Sequence, residues 1–189
     1  MKNSLTDAIN KLAKERDIEL NKNDMDQIVT YINLVSNYIG KRAYHLMEHC
    51  NRRNIMLRDT KNALRIELTD DKMCENIIKF SNYIVSRFFQ IQKGYSFELF
   101  NELFSYDKIC QSKILLDLDI YIPFNQFKKN MKRSRSYTIQ KEATIFLVSS
   151  IQSLLINILN SLKGYRKSNK NTDIKKVLNN YKCHSDSID

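Results

Sequence analysis

From Met25 to Leu46 an apolar or small residue returns every three or four positions: Met25, Ile28, Ile32, Val35, Ile39, Ala43 and Leu46. This spacing lays one apolar stripe along a helix, and no proline breaks the run. A helix over about 24–50 is about 40 Å long, so its stripe needs partners along most of that length. A short helix at about 4–15 and a polar link from Asp17 to Asn23 precede it. Asn51-Arg52-Arg53-Asn54, a β-prone Ile55-Met56-Leu57 and a short helix at 58–68 follow it. That last helix carries Ala63, Leu64, Ile66 and Leu68. Thr69 can cap a further helix running to about residue 91, with Asp70 and Asp71 suited to its positive end.

The second half repeats the plan. Pro123 suits the first turn of a short helix at 123–133, where its missing N–H is no loss. A loop from Ser134 to Tyr137 leads to a long helix from about Lys141 to Gly164. Its stripe is Leu147, Ile151, Leu154, Ile158 and Leu162. A basic loop from Tyr165 to Asn171 precedes a short helix at 172–182, capped by Asn171 or Thr172. Between the halves, Tyr95 to Leu118 reads as one or two amphipathic helices. A long helix crossed by two short ones leaves an apolar face open, so the two copies are expected to clasp each other. The expected boundaries are 1–92, a connector at 93–120, and 121–189.

Three Gly, one Pro and no Trp in 189 residues argue against a turn-rich β-sandwich or barrel and against Gly-loop nucleotide binders. The net charge is +10. Residues 1–94 carry net +4, 95–119 net −3 and 120–189 net +9. Two basic lobes around an acidic connector call for an anionic partner, with nucleic acid first and an acidic membrane surface second. The N-terminal residues lack the apolar run of a signal peptide. Ile145 to Leu159, interrupted by Ser149, Ser150, Gln152, Ser153 and Asn157, reads as too short and too polar to span a bilayer. Cys50, Cys74, Cys110 and Cys183 form no CxxC pair, which suits reduced thiols inside a cell.

Particular runs carry a resemblance. Glu19 to Met25, Tyr38 to Leu46 and Asn51 to Arg65 resemble histone 2B over residues 17–87, and a helix after residue 70 fits that family. Residues 121–182 are similar to histone 2A through Tyr121 to Lys132, Glu142 to Leu147 and Thr172 to Asn180, a pattern that nuclear factor Y subunits share. The order resembles the fused histone doublets of giant viruses. The resemblance implies an all-α chain of two histone-fold units, helix–loop–long helix–loop–helix, paired as a pseudo-heterodimer. Carboxylates of the family's acidic patch are replaced by Gln152, Asn157, Asn160, Tyr181, Lys182 and Cys183; Asp71 remains, and Lys79 takes another such position. The docking extension of histone 2A and the long basic tails are expected to be missing.

The resemblance implies that duplex DNA lies along the loops and first helices, held by side-chain cations and helix N-termini. The candidates are Lys22, Arg52 and Arg53 in the first unit. The second unit offers Lys128, Lys129, Lys132, Arg133, Arg135, Arg166, Lys167 and Lys170. Gln126 stands where the family has a DNA-facing Arg. Such contacts read the backbone and its bendability rather than base sequence.

His45-Leu46-Met47-Glu48-His49 matches a zinc-hydrolase motif, H-x-x-E-H, but lies on the long helix, and such a site needs a third ligand on another element and a much larger fold. His49 is expected to pack at that helix end. No cofactor, metal or catalytic set is called for. The expected function is a viral histone doublet compacting DNA for genome packaging, without catalysis, in a virion core or viral factory, with the host nucleus as another site. Its expected partner is a histone 3/histone 4-like pair or a second copy, and no membrane. The alternatives are a nuclear-factor-Y-like transcription module and, from another class, a virus-encoded helical inhibitor of host signalling.

Overall fold

The computed structural model describes residues 4–98, 113–132, 136–168 and 173–187. Helix dominates throughout. α1 (Leu5–Lys14) opens on a Ser4 cap, whose Oγ accepts from Asp7 N while Asp7 accepts from Ser4 N. α2 (Lys22–His49) opens the same way on Asn21 and Asp24. Strand β1 (Asn54–Ile55) leads into α3 (Leu57–Glu67), and α4 (Asp71–Glu98) follows. After a helical turn at 113–117 come α5 (Phe124–Met131), strand β2 (Thr138–Ile139), α6 (Lys141–Ser168) and α7 (Ile174–Leu178). Short 3-10 turns at Asn179–Tyr181 and His184–Ser187 close the described chain.

The expected element order holds, with local corrections. Asp70, not Thr69, caps α4 by accepting from Met73 N at 2.8 Å, while the Thr69 hydroxyl donates to Lys182 O. α4 extends past residue 91 to Glu98. Asp173 caps α7, which stops at Leu178 rather than 182. The chain must turn there: the buried Tyr181 hydroxyl donates to Asn157 O, and Cys183 pairs with Leu68 in an antiparallel bridge. The expected connector helices lie largely in 99–112, outside the described residues.

The two halves interlock. β1 and β2 pair in parallel, Asn54 opposite Thr138 and Ile55 opposite Ile139, so the loop after α2 is joined to the loop before α6. α5 crosses α2, where Asn130 Nδ2 donates to Ser36 Oγ at 2.8 Å. Gly40 permits that crossing, because a Cβ there would meet Asn130 O at 2.8 Å. α4 lies along α6, with the buried hydroxyls of Ser81 and Ser150 bonded at 2.9 Å.

The first turns of α6 are therefore covered on every side. Ala143 to Gln152 are all buried, where one stripe was expected. Gln152 is a core staple, not a surface residue: its Oε1 accepts from Tyr121 N and its Nε2 donates to Asp119 O. Contrary to the expectation for Ile145–Leu159, Lys141–Ser168 is long and apolar enough to cross a membrane by length and composition. Its most apolar window is 72% buried inside this fold, as a core helix is.

Candidate nucleic-acid interface

Two edges bring loops of the two halves together. At the first, α2 ends at His49, and Asn51 turns the chain with φ of 51°, a left-handed conformation that Asn tolerates. Arg52 then folds back. Its two terminal nitrogens donate to Asp59 at 2.8 and 2.6 Å, and one of them also reaches Asn54 O at 3.3 Å. Asp59 is buried, and its Oδ2 also accepts from Met56 N at the start of α3. Its hydrogen bonds to Asp59, with help from Cys50, raise the Arg52 pKa against the opposing effect of burial. Arg52, named among the phosphate contacts from its loop position, is thus an internal clamp whose charge is committed to Asp59.

Arg53, one residue on, is exposed, and its carbonyl accepts from Thr138 N at 2.9 Å. This bond holds the Arg53 backbone against β2. Buried Tyr137 leads into β2: its hydroxyl donates to Met131 O at 2.7 Å, and its ring meets Tyr44 at 5.0 Å. Lys128, Lys129 and Lys132 are exposed on and just after α5. Arg133 and Arg135 lie outside the described residues. Gln126 donates to Asn33 Oδ1 on α2 at 3.2 Å, so it braces the crossing of the two helices.

The second edge joins the 15–21 loop to the end of α6. The helix runs through the expected 165–171 loop as far as Ser168, which places Arg166 in its last turn. Arg166 donates to Glu19 O at 2.6 Å and to buried Asp24 at 2.7 Å, so it too is drawn into an internal pair. Lys163 donates to Arg16 O and lies 3.8 Å from Asp17. Sequence reasoning missed Lys163; its signal was a place one turn before Arg166 on the same helix face. Lys22 and Lys167 are exposed here, while Lys170 lies outside the described residues. The cleft between loop and helix is about 810 Å³, lined by residues 17–21 with Lys163, Arg166 and Lys167.

Elsewhere, Asp70, Asn157, Asn160 and Tyr181 line a recess of about 520 Å³, with Asp70 its only charged lining residue. Gln152, expected at that position, is buried instead. His45 Nδ1 lies 3.5 Å from Glu48, and His49 is exposed rather than packed. Among the described residues no group of three or more His, Cys, Asp or Glu is placed to hold a metal ion.

No protein-family model matches the chain, and no curated protein matches it at a significant level.

Proposed function

We propose that the chain is a fused pair of histone folds, of the 2B type then the 2A type, that binds duplex DNA through its phosphates and compacts it. The observation that carries this reading is the parallel β1–β2 pair, which joins the strand after α2 of one half to the strand before α6 of the other and sets exposed Arg53 against Thr138. The reciprocal edge, where the end of α6 is pinned to the 15–21 loop by Lys163 and Arg166, supports the same arrangement. Exposed cations accompany each edge: Arg53 at one, with Lys128, Lys129 and Lys132 on and just after α5, and Lys22 and Lys167 at the other. Backbone-directed contacts of this kind bind without strong base preference. Genome packaging in a virion core or viral factory, alongside a histone 3/histone 4-like pair or a second copy, completes the proposal.

Salt dependence is the test. If about six phosphates are neutralised, affinity for unrelated duplexes falls by roughly a thousandfold between 50 and 200 mM salt. A flat response, or strong preference for one base sequence, overturns the reading. Micrococcal-nuclease digestion of DNA reconstituted with the chain, with and without a histone 3/histone 4 partner, then asks for a protected ladder.

A further inference from the structure

We propose that the solvent face of α4 is a second surface for duplex DNA, so that one chain bridges two duplexes; this rests on the DNA-binding reading above. Lys72, Asn76, Lys79, Tyr83, Arg87 and Gln90 fall three, four or seven residues apart and share one side of the helix, and all six are exposed. Ile77, Ser81, Ile84 and Phe88 lie half a turn away and are buried, with Ser81 bonded to Ser150 of α6. The line therefore faces away from the core and shares no residue with either loop edge.

The charge along it is positive. Among the described side chains of α4 the only carboxylates are Asp71, in the first turn, and Glu75. Glu75 is held by Arg65 of α3, which donates to it at 3.0 and 2.9 Å. No described carboxylate forms an ion pair with Lys72, Lys79 or Arg87; Arg87 donates only to the neutral Gln90 amide, at 3.1 Å. Lys72 to Arg87 spans about 22 Å, a length over which about six phosphates pass on each strand. Tyr83, 59% exposed at the middle of the line, offers a hydroxyl of the kind that bonds phosphate oxygen. Spaced cations with an exposed hydroxyl and no free carboxylate among them complement a rigid polyanion.

The test uses the full chain, a bead-bound duplex and a second, fluorescent duplex. Wild type is expected to capture the second duplex. The triple variant Lys72→Gln, Lys79→Gln, Arg87→Gln should capture at least about tenfold less, while its affinity for one duplex, read by anisotropy at low salt, stays within about threefold of wild type. All three positions are exposed, and an unchanged circular-dichroism melt checks the fold. Capture by the variant equal to wild type overturns the inference, as does a wild type that binds one duplex and never a second. Variant-sensitive binding of phosphatidylserine vesicles with bridging unaffected also overturns it, by assigning the face to a membrane. A wild type that binds no duplex at all overturns the DNA reading itself.

Discussion

Arg52 and Arg53 are neighbours in one loop with opposite fates. The Arg52 side chain is 16% exposed and forked onto Asp59, whereas Arg53 is exposed with only its carbonyl engaged. Arg52→Ala leaves a buried carboxylate unpaired and should cost about 3 kcal/mol, read by thermal or urea unfolding. Arg53→Ala should change stability by less than about 0.5 kcal/mol and reduce the slope of DNA affinity against salt by about one. The doublet was legible in the sequence as a basic loop. Which arginine clamps and which stays exposed was not, because that depends on the fold of α3 bringing buried Asp59 back onto the loop. The described cysteines divide in the same way. Cys50 is exposed and Cys74 buried, and burial pushes the Cys74 thiol up to about 11. Iodoacetamide at mildly alkaline pH should therefore modify Cys50 first and reach Cys74 only with denaturant; equal rates would refute this. Folded Cys74 holds its proton more tightly than an unfolded thiol of pKa 9.0. Its contribution to stability is thus full below about pH 9 and is lost as pH rises through about 11, so the melting temperature should fall over that window.

Among the elements, helix periodicity located the start of every long helix to within about two residues, because an apolar stripe on a helix is a local property. The ends were harder. α6 took in residues 165–168 of the expected 165–171 loop, and from its last turn Arg166 reaches Glu19 O and Asp24. Strand β2 left no sequence signal, since two residues pair there only because β1 lies alongside. Gly40 sits inside α2, where alanine would ordinarily favour the helix by up to about 1 kcal/mol. Because the added Cβ would meet Asn130 O at 2.8 Å, Gly40→Ala should instead destabilise, by about 1–2 kcal/mol net, read by urea unfolding. A stabilised variant would mean that α5 moves aside at little cost.

At the scale of the whole molecule, each half completes the core of the other. α6 is buried beneath α4, α3 and α5, and α5 in turn crosses α2. Residues 1–92 expressed alone should therefore show no cooperative melt as a monomer, and adding residues 93–189 should restore one. A monomeric, cooperatively folded 1–92 would contradict the interlocked core. The two loop edges also depend on this clasp, because each takes one side from each half.

The sequence by itself determined the helical class, the order of the long helices and the surplus of basic groups on its loops and short helices. All of these follow from local spacing and composition. Only the tertiary structure decided which cations remain exposed, since Arg52 and Arg166 are claimed by buried Asp59 and Asp24. It also turned Gln152 and Gln126 inward as staples and set three cations and Tyr83 along the outer face of α4. A side chain's charge is written in the sequence, but its availability depends on what distant residues the fold brings within hydrogen-bonding reach.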